Sequence, residues 1–107
     1  MIETREILLN AFFENELKVG ETACFVEEYN ASTGYLWSVI PDNSGVYELV
    51  ETKTLYPSVQ ATGVPGLLMW TFKMINKGQG AILFKLLPPG SKEPVKVIAV
   101  KLNIGEK

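Results

Sequence analysis

The sequence predicts an all-β protein built as a two-layer sandwich, and three observations lead there. Apolar residues recur with a period of two over most of the chain, clusters of turn formers separate the alternating runs, and no stretch carries a helical stripe. The chain has 107 residues, 47% of them apolar and 21% charged. That is enough to bury one core and too little for two, so a single domain over residues 1–107 is expected.

The elements follow in order. Ile7 to Phe13 reads as a weak strand, and Gly20-Glu21 opens a stronger one that runs to about Tyr29. Tyr35, Trp37 and Val39 alternate in a shorter strand that the turn formers Pro41-Asp42-Asn43-Ser44-Gly45 end. Val46 to about Tyr56 makes another. Leu68, Trp70, Phe72 and Met74 then form one large apolar face against a mixed face of Met69, Thr71, Lys73 and Ile75. After Gly78-Gln79-Gly80 the pattern resumes at Ile82, Phe84 and Leu86, and it closes with Ile98, Val100, Leu102 and Ile104. Seven or eight short strands at this density point to a sandwich, with a small closed barrel as the competing architecture. Trp37 and Trp70 fall on core-facing positions and are expected to pack rather than to bind.

Composition narrows the function. Ten Lys plus Arg against twelve Asp plus Glu give a net charge of -2, which offers no footprint for nucleic acid or an anionic membrane. The chain contains no His, which rules out the Ser-His-Asp triad, the Cys-His pair and imidazole proton shuttles. No cofactor or metal is expected. The single Cys, Cys24, lies in the apolar run Ala23-Cys24-Phe25-Val26 and is expected to be a small buried hydrophobe. The pairs Glu27-Glu28 and Glu14/Glu16 read as solvated faces rather than catalytic carboxylates. Asp42 to Gly45 reads as a turn, because the later acidic ligand of a calcium loop is missing. The acidic start Met1-Ile2-Glu3-Thr4-Arg5-Glu6 lacks a positive n-region, and no segment is long and apolar enough to span a bilayer, so a cytoplasmic location is expected.

Three connections stand out for their composition. They are Asn30-Ala31-Ser32-Thr33-Gly34, Gln60-Ala61-Thr62-Gly63-Val64-Pro65-Gly66 and Leu87-Pro88-Pro89-Gly90-Ser91-Lys92-Glu93-Pro94. In an immunoglobulin-like Greek key, alternate connections of this kind emerge at the same end of the sandwich. Short loops shaped by Gly and Pro lose little entropy on docking, so this end suits tight binding of a partner.

These same residues resemble the chagasin-type inhibitors of papain-like cysteine proteases. The family carries an Asn-Pro-Thr-Thr-Gly-Tyr/Phe loop, a Gly-x-Gly-Gly loop and an Arg-Pro-Trp loop. The first is matched by Asn30-Ala31-Ser32-Thr33-Gly34-Tyr35, preceded by Val19-Gly20-Glu21 and followed by Leu36-Trp37. Gly63-Val64-Pro65-Gly66 matches the second, and Pro88-Pro89-Gly90 stands at the place of the third, keeping only its middle Pro. The resemblance spans about Val19 to Ile104. It implies an immunoglobulin-like inhibitor, not an enzyme, whose loops fill the cleft of a papain-like cysteine protease. The contact residues it implies are Asn30, Ala31, Ser32, Thr33, Gly34 and Tyr35 in the first loop. Gly63, Val64, Pro65, Gly66 and Leu67 follow in the second, and Pro88, Pro89 and Gly90 in the third. Ala31 in place of the family's Pro turns Asn30-Ala31-Ser32 into a glycosylation sequon, and a glycan there would obstruct docking. That agrees with a compartment free of N-glycosylation. A monomer is expected. The alternatives are a generic immunoglobulin-like protein- or glycan-binding module and a His-free carboxylate enzyme.

Overall fold

The computed structural model describes residues 7–29, 33–55 and 66–107. Over these residues the chain forms β1 (Ile7–Leu8), β2 (Asn15–Lys18), β3 (Thr22–Tyr29), β4 (Leu36–Pro41), β5 (Tyr47–Leu55), β6 (Gly66–Met74), β7 (Gly78–Leu87) and β8 (Lys96–Gly105). Two four-stranded sheets result, in the orders β1-β3-β6-β5 and β2-β8-β7-β4. Two stacked open sheets make a sandwich rather than a closed barrel, and the strand orders are those of an immunoglobulin-like Greek key.

The alternation read from the sequence is the alternation of burial. Phe72, Met74, Ile82, Phe84 and Val100 are fully buried, and Trp70, Leu102 and Ile104 nearly so. Aromatic rings from both sheets meet in the middle. Phe84 of β7 stacks on Phe25 of β3 with centroids 4.4 Å apart, and lies 4.8 Å from Trp70 of β6. Burying each such ring stabilises the fold by about 2 kcal/mol. Trp37 meets Trp70 edge-on at 6.0 Å and is half-buried against the core, so both tryptophans pack as expected.

The N-terminal segment departs from the single strand expected over Ile7 to Phe13. β1 pairs with β3 through Ile7 and Leu8 only, and the chain then crosses to pair β2 with β8 in the other sheet. The Asn15 side chain fixes the crossing. Its amide nitrogen donates to the carbonyls of Asn10 and Lys101, both at 2.9 Å, while its oxygen accepts from Asn10 N–H at 2.7 Å. Cys24 is buried as expected, but on the outer face of its sheet, where Sγ lies 3.4 Å from Thr71 Oγ1.

The turn between β4 and β5 is held from inside. Asp42 accepts from Ser44 N–H at 2.9 Å through Oδ1 and from Ala81 N–H at 2.7 Å through Oδ2. The Tyr47 hydroxyl donates to the Ala81 carbonyl at 2.7 Å and accepts from Asp42 N–H at 3.0 Å. Gly80 has to be glycine, because a Cβ there would sit 2.8 Å from both Ser44 Oγ and Val46 Cγ2.

Partial burial pushes the Asp42 carboxyl up, but hydrogen bonds from Ser44, Ala81 and Tyr47 outweigh it and hold the group below its ordinary 3.8. A folded-state value below the unfolded one means that the ionised form stabilises the fold above pH 3.8, and that this contribution is lost as pH falls through the lower folded value. Thermal melts of wild type and Asp42→Asn should therefore differ most near neutral pH and converge as pH falls through the lowered folded value. A gap between the two that is constant across this range would remove Asp42 from the acid response.

Candidate functional site

The strand registers place three connections at one end of the sandwich. In one sheet Tyr29 pairs with Gly66 and Leu55 with Leu67. In the other, Leu36 pairs with Leu87 and Leu86 with Lys96. Connections 30–35, 56–65 and 88–95 therefore leave from this end, and the Asp42–Tyr47 turn lies at the other. The two sheets are tied together beneath the first connection, where Trp37 Nε1 donates to the Glu28 carbonyl at 3.1 Å.

Of the site residues expected from sequence, Asn30, Ala31, Ser32, Gly63, Val64 and Pro65 lie outside the described residues. Thr33, Gly34 and Tyr35 are exposed at the loop end. Thr33 Oγ1 accepts from Tyr35 N–H at 3.4 Å, a local side-chain turn that fixes how the loop enters β4. Gly34 has φ +78°, a conformation that disfavours any β-branched residue. Gly66 is buried as the first residue of β6, whereas Leu67 is 41% exposed.

The third connection is a formed turn. Ser91 N–H donates to the Pro88 carbonyl at 3.2 Å, and Gly90 has φ +70°. Pro at the second position and a positive-φ Gly at the third are the signature of a type II turn. Pro89 and Gly90 are exposed and Pro88 half-buried.

The first and third connections touch. A Cβ built on Gly34 would lie 3.0 Å from Pro89 Cγ and 3.4 Å from Pro89 Cβ. The bare glycine backbone thus rests against the proline ring, and a ring with fixed φ makes a stiff buttress. Sequence reading named both residues but gave no sign of this contact.

Chemically the site is a rim of small, apolar and hydrogen-bonding groups. Among the described residues no cluster of acidic or Cys side chains is placed to hold a metal ion. Among the described residues, the groups whose pKa is displaced, Asp42 and Tyr47, belong to the opposite end. Burial raises the Tyr47 hydroxyl above its usual 10.0, with the Asp42 charge adding to it and the Asp42 N–H opposing. No described helix is long and apolar enough to cross a membrane.

Residues 16–104 match the family described as chagasin family peptidase inhibitor I42. No curated protein sequence matches the chain. Among solved structures, the chain is similar to the cysteine protease inhibitor EhICP2 from Entamoeba histolytica, with a TM-score of 0.79 and 17% identity over 94% of this chain and 96% of that one. It is also similar to amebosin, with a TM-score of 0.66 and 17% identity over 97% of this chain and 100% of the other. PbICP-C, solved in complex with falcipain-2, aligns with a TM-score of 0.61 and 20% identity over 98% of this chain and 92% of the other. At these identities the structural likenesses speak for the fold.

Proposed function

The chain belongs to the chagasin family of peptidase inhibitors, and we propose that it is a reversible, tight-binding inhibitor of papain-like cysteine proteases. Connections 30–35, 56–65 and 88–95 enter the active-site cleft as a wedge, and the protein acts by occlusion without turning over a bond. The observation that carries this reading is the convergence of the three connections at one end of a rigid sandwich, with Gly34 seated on Pro89. The descriptions of EhICP2 as a cysteine protease inhibitor and of PbICP-C as solved with falcipain-2 support the same class of target.

The mechanism follows from the residues. Thr33 and Gly34 present little bulk, so backbone can approach a narrow slot and offer its own N–H and C=O groups. The Pro89-Gly90 turn and the Thr33–Tyr35 turn are formed before binding, which lowers the entropy lost on docking. Tyr35, 37% exposed, and Leu67 flank the tip with the apolar area that interface centres use. An interface of ordinary inhibitor size buries about 800 Å² on each partner.

A cytoplasmic site of action fits the sequon at Asn30-Ala31-Ser32, since a glycan on the tip would block the wedge. The protein then acts as a monomeric single-domain guard against cysteine proteases reaching that compartment. Imaging of the native protein checks this, and a signal confined to secretory vesicles would count against it.

The test of function is steady-state hydrolysis of a fluorogenic peptide by papain and by a cathepsin-L-like protease while pure protein is titrated in. Competitive, reversible inhibition at a stoichiometry near one is expected. Absence of inhibition of both enzymes would transfer the loop end to a generic immunoglobulin-like binding module.

A further inference from the structure

The two sheets turn unlike faces to solvent. In the sheet β2-β8-β7-β4, Val39, Phe84 and Ile98 point into the core, so the residues on either side of them point outward. The registers set these outward residues in rows. Leu36 stands beside Leu87, Ser38 beside Lys85 and Val97, and Ile40 beside Leu83 and Ala99. Leu36 is 58% exposed and Val97 53% exposed, and Lys85 is the one charged residue in these rows. An antiparallel sheet with one face in water ordinarily reads polar on that face. The other sheet keeps to this rule, with Glu28, Glu48, Glu51, Lys53 and Lys73 on its outward side.

The place of the rows points to what covers them. Leu36 follows connection 30–35 and Leu87 precedes connection 88–95, so the first row adjoins the loop end. Two residues along a strand span about 7 Å, which puts Lys85 and Val97 that far below the first row. At the tip, Thr33, Gly34, Pro89 and Gly90 are small, whereas an inhibitor of this class buries about 800 Å² of its surface. A protein seated on the tip reaches such an area by continuing onto a flank, and these rows form the flank with large aliphatic side chains and little charge.

Charge decides between partners. Lys85 is half-buried and forms no ion pair among the described residues. A second copy docked on these rows would bring another Lys85 and no acid, whereas burying an ammonium calls for an opposite charge. The occupant is therefore a different protein, and it carries a carboxylate.

We propose that this outward face, next to the loop end, is a second contact with the protease outside its cleft. The lip of the protease lays apolar side chains over Leu36, Leu87 and Val97, and a carboxylate on it meets Lys85. This inference rests on the reading of the chain as a cysteine protease inhibitor, and adds to it a surface that sets affinity and selectivity.

The test is the inhibition constant of the full chain and its variants for papain and for a cathepsin-L-like protease. Val97→Asp and Lys85→Glu should each raise it about tenfold for at least one of the two enzymes, the cost of placing an unmatched charge in a contact. Both variants should melt cooperatively near the wild-type temperature. Val97 stands beside Lys85 across the strands, so an Asp there gains an opposite-charge neighbour that supports the sheet. Lys53→Asp, at the same depth on the other sheet, should leave inhibition unchanged. Inhibition by wild type that Thr33→Glu weakens but neither flank variant alters, for either enzyme, would overturn this proposal alone. A loss in Lys53→Asp equal to that in Val97→Asp would also overturn it, and so would wild-type dimers in sedimentation that Val97→Asp dissolves. Absence of inhibition by wild type itself would overturn the reading on which it rests, and the flank contact with it.

Discussion

Thr33→Glu should raise the inhibition constant for papain by about a hundredfold or more while leaving thermal stability nearly unchanged. The two halves of this expectation have separate causes. Thr33 is exposed, and its Oγ1 accepts a long hydrogen bond of 3.4 Å from Tyr35 N–H. Exposed substitutions of this kind usually move stability by no more than about 0.5 kcal/mol. In the wedge, however, a carboxylate at this tip adds bulk to a narrow slot and must shed its water, and a hundredfold weakening needs only about 2.7 kcal/mol. Thr33→Ser keeps the hydroxyl and should stay close to wild type. Gly34→Val attacks the same tip through the backbone. It forces a β-branched residue to φ +78° and drives its Cβ to within 3.0 Å of Pro89 Cγ, so either the loop or the proline must move. Inhibition constants unchanged by both Thr33→Glu and Gly34→Val would remove the first connection from the contact surface.

The sandwich was legible because burial on one face writes a period of two into the chain. Phe72, Met74, Ile82, Phe84 and Val100 were all assigned to the inner face from alternation, and all are fully buried. The switch of the first strand between sheets was not legible. Two paired residues are too few to carry a period, and the Asn15 side chain that fixes the crossing bonds to Lys101, which lies far along the chain. Cys24 shows another limit. An apolar run reveals that a residue is buried but not on which face, and here cover comes from the outer side, beside Thr71.

The loop end divides in the same way. Alternate connections of a Greek key share an end, so the grouping of the three connections followed from strand count alone. The turn at Pro88-Pro89-Gly90-Ser91 was readable from Pro and Gly at their required places. The seating of Gly34 on Pro89 was not, because it is a contact between loops whose spacing only the packed sheets determine. This contact also gives the third connection a use that its sequence does not advertise. With only the middle Pro of the family's third signature kept, Pro89 serves to hold the first connection in place.

Phe84→Ala should produce the largest loss of stability of any single truncation in the core. The ring is fully buried and touches aromatic partners from the opposite sheet, with Phe25 at 4.4 Å, Trp70 at 4.8 Å and Phe72 at 6.2 Å. Truncating such a ring costs about 3–5 kcal/mol, because the rigid neighbours collapse only partly into the cavity. A domain of this size has about 5–15 kcal/mol in total, so the variant should sit near the edge of folding. Urea unfolding should show a lower midpoint at an unchanged slope, since the area exposed on unfolding hardly changes. Below its melting temperature, Phe84→Ala should still inhibit papain to within about threefold of wild type. The loop end is pinned locally, by the Trp37–Glu28 hydrogen bond and by Gly34 on Pro89, rather than by the middle of the core. A stability loss under about 1 kcal/mol would mean that the aromatic stack is not what holds the sheets together. A large stability loss accompanied by lost inhibition in the folded protein would mean instead that core and loops move as one body, and that preorganisation of the wedge begins at Phe84.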